Sequence, residues 1–361
     1  MDLTPVLARR RYGIGHTRAE EFSRSTPPTT LRGQPPVIFT FTPNPSVDVT
    51  FTVDNFTAGE VIRVRARSRE PGGKGINVAH TVLKAGESTL ALAPAHETDP
   101  FVALAHKAAI PLHTIAVEGH VRANSTITDA AGVTTKLNEQ GARLTPATIA
   151  ALEEAVATHA PKANAVVLAG SLPPGAPRDW YSTLVAIVRR ANPDALIAVD
   201  TSDEPLIALG EGLEDSTPDI IKPNGYELGQ LAGVDGQTLE DAAARGDLAA
   251  VVEVAQSVVS RGVPELLVTF GGAGACLVTS RGAWVATPPP AHVRSTVGAG
   301  DSALAGYVLA RMRGQDYPEA LRHSVAYGTA AASNPGTAIP TPDDLDLART
   351  VVSVFPSHDG K

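Results

Sequence analysis

From Val37 the chain alternates short apolar runs with longer segments of helical period. The runs "VIFTFTP", "AVVLAG" (165–170), "LIAVDT" (196–201), "DIIKPN" (219–224) and "ELLVTFGG" (265–272) are rich in Val, Ile and Leu and close on turn-forming or polar residues. Such runs read as buried strands. Between them, "TPATIAALEEAVATHA" and "DWYSTLVAIVRRA" carry apolar residues at helical spacing. Strands that are apolar on both faces and separated by helices predict a mostly parallel sheet covered on both sides, a three-layer α/β/α sandwich. In sheets of this kind ligands bind beyond the carboxyl ends of the strands. The residues closing the runs, Asn44, Asp48, Ser171, Asp200, Lys222, Asn224 and Gly271, therefore become candidates for a site.

Three stretches follow a period of two instead: "VDVTFTVDNF" (47–56), "EVIRVRAR" (60–67) and "TIAVEGHVRANSTITDAAGVTTKLNE" (114–139). They read as antiparallel ribbons too small to stand alone, and they predict a small β-sheet lid over the strand ends, built from about 47–67 and 114–139. Residues 1–36 mix Arg9-Arg10-Arg11 with Pro, Ser and Thr without a sustained period, and are expected to be a disordered tail. A twin-arginine export signal would need an apolar segment after those arginines, and none follows. Residues 351–361 are expected to form a C-terminal tail, which leaves one domain over 37–350.

Composition narrows the partners. The 361 residues are 43% hydrophobic and carry a formal net charge of −8, a balance that argues against a nucleic-acid surface and for a small-molecule partner. No apolar run approaches the roughly 20 residues that a bilayer span needs. The single cysteine, Cys276, sits in the strand-like "ACLVT", which predicts a buried thiol, excludes a disulfide framework and suits a cytoplasmic protein. The ten histidines show no metal-ligand spacing.

The candidate chemistry lies in "RSTVGAGDSALAGYVLA" (294–310), where Gly298, Ala299 and Gly300 precede Asp301 at the mouth of an apolar helix. A helix N-terminus offers unpaired amides and partial positive charge to an anion, and small residues keep those amides uncovered. The chain has no G-x-x-x-x-G-K-[ST] motif, so a phosphate cradle here would work with a carboxylate and without a P-loop lysine. A carboxylate suits a general base acting on an attacking hydroxyl, with the amides steadying charge on the phosphoryl group. Asp301 as a simple helix cap is the other reading of this stretch alone. Further candidates favour the first: Lys74 and Asn77 after Gly72-Gly73 in "EPGGKGINVAHTVLKAG" (70–86), Asp48 in "TPNPSVDVTF", and Asn224 with Glu227 in "IIKPNGYELGQLAG". The last pair has a spacing that suits an Mg²⁺–phosphate contact made partly through water.

In order and wording these segments resemble the PfkB, or ribokinase-like, carbohydrate kinases, whose two signatures are matched by "GGKGINVA" and "STVGAGDSALAGYVLA", with "KPNGYE" similar to the family's N-x-x-E element. The resemblance runs from about Val37 to Leu347. "TPNPSVD", "GEVIRV", "RANSTITD…KLNEQG" and "GSLPPGAP" look most like the branch containing 1-phosphofructokinase and tagatose-6-phosphate kinase, whose substrates already carry a phosphate. The resemblance implies a ribokinase-like fold and phosphoryl transfer from ATP with Mg²⁺. It casts Asp301 as the base, and Gly298, Ala299 and Gly300 as the anion hole. Asp48, Gly73 and Asn77 would hold sugar hydroxyls, while Lys74, Arg122, Asn124 and Lys136 would take the substrate's own phosphate. Lys222, Asn224, Thr269, Gly271 and Gly274 would line the nucleotide site, Asn334 would lie near the adenine, and Glu227 would act through magnesium.

The implied reaction is fructose 1-phosphate plus ATP to fructose 1,6-bisphosphate plus ADP. Tagatose 6-phosphate or fructose 6-phosphate as acceptor, and a kinase-like regulatory protein without turnover, are the alternatives. The expected assembly is a homodimer through the lid. One departure stands out: where this branch has a Gly-rich segment, the chain has "ESTLALAPAHETDPF" (87–101), whose His96, Glu97 and Asp99 are expected on a surface loop. Lys74 between glycines, Glu227 in a first helical turn and Ser171 in a turn-forming string also have purely structural readings.

Overall fold

The computed structural model describes residues 37–356. The tail expected over 1–36 lies outside them. In chain order the structure contains β1 (Val37–Phe41), β2 (Ser46–Val53), β3 (Val64–Gly72), α1 (Lys74–Lys84), β4 (Ser88–Pro94), α2 (Pro100–Lys107), β5 (Leu112–Ile115), β6 (Arg122–Thr128) and β7 (Thr134–Asn138). There follow α3 (Pro146–His159), β8 (Ala165–Ala169), α4 (Trp180–Ala191), β9 (Leu196–Asp200), α5 (Asp203–Glu211), β10 (Ile220–Ile221), α6 (Gly225–Ala232), α7 (Gly236–Ala244), α8 (Ala249–Val259) and β11 (Glu265–Thr269). The last elements are β12 (Ala275–Thr279), β13 (Gly282–Thr287), α9 (Ala299–Met312), α10 (Tyr317–Ser333) and β14 (Val351–Phe355).

Ten strands form the main sheet in the order β14-β13-β12-β11-β10-β9-β8-β1-β4-β5. The seven from β11 to β5 pair in parallel, and β12, β13 and β14 extend the sheet antiparallel. Alternate side chains of one strand serve two cores, as the pleat requires. Phe39, Val166, Ile197 and Val199 join the helices of the α3–α8 side, while Ile38, Val167 and Ala198 join α1, α9 and α10. The expected sandwich is therefore present, and every residue of β8 and β9 is buried. Cys276 is buried in β12, and burial pushes its thiol up to about 12. No helix among the described residues is long and apolar enough to cross a membrane.

The lid is a separate four-stranded sheet, β3-β2-β6-β7. Three expectations need correction here. The ribbons are not all antiparallel, since β2 and β6 pair in parallel. The segment 114–139 is divided: its start completes β5 on the edge of the main sheet, and only β6 and β7 belong to the lid. The tail expected from 351 begins as strand β14, which pairs with β13 because Val352 and Phe355 still have apolar cores to pack against.

One face of the lid is apolar. Val47 and Val49 of β2 share a core with Ile76 and Ala79 of α1, Ala91 and Ala93 of β4, and Phe101 and Val102 of α2. The other face carries Ser46 and Asp48, opposite Arg122 and Asn124 in register, with Lys136 one position along on β7. Period two thus sorts the lid into an anchored side and a chemical side.

Candidate active site

The N-termini of α1 and α9 come together, joined through Asn77 and Asp301, and β3 of the lid runs directly into α1. Gly298 caps α9 in the left-handed region, φ 76°, and no side chain caps the amides behind it. Asp301 lies in the first turn, 8% exposed, and its carboxylate makes no capping bond. Instead Asn77 Nδ2 donates to Asp301 Oδ2 at 2.8 Å. Burial, reinforced by the negative charge of Asp200, pushes Asp301 up to about 6 against the opposing pull of Lys74, Asn77 and Lys222. That value places a proton acceptor near working pH, which a passive cap does not need.

Behind Asp301 sits an ion triad. Lys74 Nζ donates to Asp200 Oδ1 at 2.7 Å, and Lys222 Nζ lies 3.1 Å from Asp200 Oδ2. Burial alone would protonate Asp200, but the two lysines more than offset it and hold the carboxyl below its ordinary range. For Lys74 burial pulls the opposite way, and the carboxylates of Asp200, Glu227 and Asp301 together raise it. A Cβ added to Gly300 would stand 3.5 Å from Lys222 Nζ, so this ammonium borders the α9 amides. Two lysines and a helix N-terminus converge where negative charge on a phosphoryl group would collect.

Asp48 occupies the lid side. It accepts from Ser46 Oγ at 2.7 Å and from Asn124 Nδ2 at 3.3 Å, and burial raises it despite those bonds and the nearby Arg122 and Lys136. Arg122 donates to the carbonyls of Asn44 and Glu139, at 3.2 and 3.3 Å, while its Nε is buried without a partner. A cavity of about 570 Å³ opens beside Arg122, Asn44 and Ser171. On the far side of Gly300, a cavity of about 610 Å³ runs past Thr269, Gly271, Gly274, Pro288 to Ala291, Val293 and Ala299. This second cavity is lined mainly by apolar and glycine residues, a surface that suits a planar ring.

Residues 44–344 match the profile of the pfkB family carbohydrate kinases. The chain belongs to the pfkB family of carbohydrate kinases. As such it is a phosphotransferase with an alcohol group as acceptor. It is 35% identical over 319 residues to 1-phosphofructokinase of Rhodobacter capsulatus, covering 87% of this chain and 96% of the relative. It is also similar to the ATP-dependent 6-phosphofructokinase isozyme 2 of Escherichia coli K12, 31% identical over 85% of this chain and 96% of the relative. The crystal structure of phosphofructokinase-2 from Escherichia coli with substrates and products superposes with a TM-score of 0.76, at 30% identity, over 85% of this chain and 96% of that one.

Within this pfkB kinase, the structure gives several of the expected site residues partners that the sequence does not show. Lys74, expected beside the acceptor's phosphate, is paired with Asp200 and faces the Asp301 cluster. Asn77, expected on a sugar hydroxyl, orients Asp301. Asn224 and Glu227 form a reciprocal capping box at α6: Glu227 N donates to Asn224 Oδ1 at 2.7 Å and Asn224 N to Glu227 Oε2 at 2.9 Å. Asn334 closes α10 and lines a neighbouring polar recess of about 310 Å³ with Asp344, Asp346 and Arg349, sharing only a wall with the large cavity. Gly73, at φ 109°, caps α1, where a Cβ would come 2.7 Å from Thr42 Cγ2. Gly72 clears the space for Asp48, because a Cβ there would stand 2.4 Å from its carboxylate. Asp200 closes a buried strand, and that signal marks it as a candidate without giving it a role.

A closed metal cage is not available: among the described residues no three His, Cys, Asp or Glu side chains are grouped to hold an ion. Buried Glu227 is raised by burial against the pull of Lys74 and Lys222, and its Oε2 is engaged by the Asn224 amide, which leaves Oε1 as the oxygen to meet a hydrated cation. The donor set fits a magnesium ion carried mainly by nucleotide phosphates and water.

Proposed function

We propose that this chain phosphorylates fructose 1-phosphate at O6, using ATP and giving fructose 1,6-bisphosphate and ADP. The observation that carries this reading is the second cation zone: Arg122, close enough to Asp48 to feel its charge, lines a cavity whose walls include none of the Lys74–Asp200–Lys222 triad. An acceptor with a phosphate of its own gives that half-buried guanidinium a counter-charge beyond the two carbonyls it already meets. Asp48 and Asn124 hold the acceptor's hydroxyls from the lid. The Asp301 carboxylate, oriented by Asn77, takes the proton of the attacking hydroxyl as the O–P bond forms and the bond to the β-phosphate oxygen breaks. Lys74, Lys222 and the α9 amides hold the charge on the transferred group. Magnesium, when bound with the nucleotide, supplies further positive charge along the phosphate chain, with Glu227 as its contact through water. The apolar cavity beyond Gly300 takes the adenine, and the lid is the surface through which two copies pair.

Fructose 6-phosphate is the second reading, favoured by the similarity to the 6-phosphofructokinase isozyme. ADP formation measured against fructose 1-phosphate, fructose 6-phosphate, tagatose 6-phosphate and free fructose tests both. The highest kcat/KM is expected on fructose 1-phosphate; equal rates on free fructose would overturn the reading. The pH profile gives an independent check. Because the base is pushed up to about 6, kcat/KM should climb about tenfold per pH unit below that value and level off above it. Glu227 and Asp200 share the cluster, so the apparent midpoint belongs to all three carboxyls. A flat profile down to about pH 4.5 would remove Asp301 as the base.

A further inference from the structure

We infer that Asp99 is a positioning residue that pins the root of the lid and thereby sets the affinity for the acceptor. The inference rests on the kinase reading above and concerns the segment in which the chain departs from its branch. Asp99 is not on the surface as the sequence suggests: it is 4% exposed, whereas His96 and Glu97 beside it are exposed. Its two carboxylate oxygens are spent on two different elements. Oδ1 accepts from Phe101 N at 2.9 Å and so caps α2, while Oδ2 accepts from Val121 N at 3.0 Å. His120 comes within 3.7 Å but is 91% exposed, so the backbone amides are the ligands that matter.

Val121 is the residue before β6. The next residue, Arg122, lines the acceptor cavity, and Asn124 donates to Asp48. A buried carboxylate bridging two amides is a charge-assisted clamp, stronger than a neutral bond and short in reach. Around it the contacts are apolar: Phe101 and Val102 pack with Val47 and Val49, with Val121 against their edge. Apolar packing alone tolerates sliding, because it is non-directional. The Asp99–Val121 bond supplies the direction, fixing β6 along its axis relative to α2 and, through the shared core, relative to α1, which carries Asn77.

Three variants of the full chain test this. Asp99→Ser keeps a good N-cap for α2 but is too short to reach Val121 as well. Asp99→Ala removes both bonds, and Arg122→Leu removes the acceptor contact directly. In Asp99→Ser the KM for fructose 1-phosphate should rise about 5- to 20-fold, less than the about 10- to 150-fold of one hydrogen bond to a charged group because the lost bond reaches the acceptor only through β6, while kcat and the KM for ATP stay within about twofold. Amide hydrogen exchange should quicken over 121–124 and remain unchanged over 100–107. Asp99→Ala should show the same KM change together with a lower Tm. An unchanged acceptor KM in Asp99→Ser would overturn the inference and leave Asp99 as a helix cap, whatever the exchange data show. If Arg122→Leu alone has no effect, the phosphate role of Arg122 falls, and Asp99→Ser must still move the acceptor KM through Asn124 and Asp48.

Discussion

Asp301→Asn is expected to lower kcat by about 10²–10⁴-fold, the usual worth of a positioned general base, and at the same time to raise Tm near neutral pH. The two effects have one cause. Burial beside Asp200 pushes the carboxyl up to about 6, whereas an unfolded chain holds it near about 3.9. A carboxyl with a raised pKa in the folded state makes folding favour the protonated form. Below about pH 4 both states are protonated and the site costs nothing; between about 4 and 6 the unfolded state ionises first, and above about 6 the full cost is present. Replacing the carboxylate by a neutral amide removes that cost and keeps an oxygen to accept from Asn77. Melting curves at about pH 7.5 and pH 4 should therefore show a Tm gain that is largest at the higher pH and vanishes at the lower. Turnover close to wild type would remove the base assignment, and a Tm loss at neutral pH would show that the ionised carboxylate stabilises the fold.

Much of this architecture is legible in the residue pattern. β8, β9 and β11 are apolar on both faces, and a strand in the middle of a parallel sheet has no other way to be built. The lid strands announce themselves by period two, but their partners do not, because alternation fixes which face a side chain takes and not which strand lies beside it. That is why the parallel pairing of β2 with β6 could not be foreseen. The strand β14 was hidden for a related reason: five residues at a sheet edge, three of them exposed, look like a tail until β13 is there to pair with them.

The site divides along the same line. Gly298 to Asp301 were readable because a glycine-rich helix mouth and its acid are a local arrangement. The partners of Lys74 were not, since Asp200 is 126 residues away and Asn77 finds Asp301 across 224. Sequence spacing within "GGKGINVA" says that Lys74 and Asn77 leave one end of α1. It does not say that Lys74 pairs with Asp200 and Asn77 with Asp301. Asp99 escapes notice for want of the same information: four polar residues in a row, 96–99, suggest a loop, and only the packing of α2 against the lid shows that one of them is enclosed.

The pairing of Lys74 with Asp200 carries an expectation that separates the two cation zones. Lys74→Met should lower kcat by about 10²–10³-fold, the scale of losing one preorganised charge at a transition state, and should do so equally on fructose 1-phosphate and on free fructose. The reason is geometric: Nζ sits 2.7 Å from Asp200, among Asp301, Glu227 and Lys222, where any acceptor must receive the phosphoryl group. Arg122→Leu should behave differently. It removes the guanidinium we assign to the acceptor's own phosphate, so it should cost about 10- to 150-fold in kcat/KM on fructose 1-phosphate, equivalent to about 1.5–3 kcal/mol, and little on fructose. Tm measurements guard against general damage: Asp200 keeps Lys222 when Lys74 is lost, and Arg122 lies in the lid away from both main cores. If Lys74→Met spared fructose, the lysine would belong with Arg122 on the acceptor's phosphate. If Arg122→Leu depressed both substrates alike, the lid would serve sugar binding in general, and the chain's preference for an acceptor already phosphorylated would lose its structural basis.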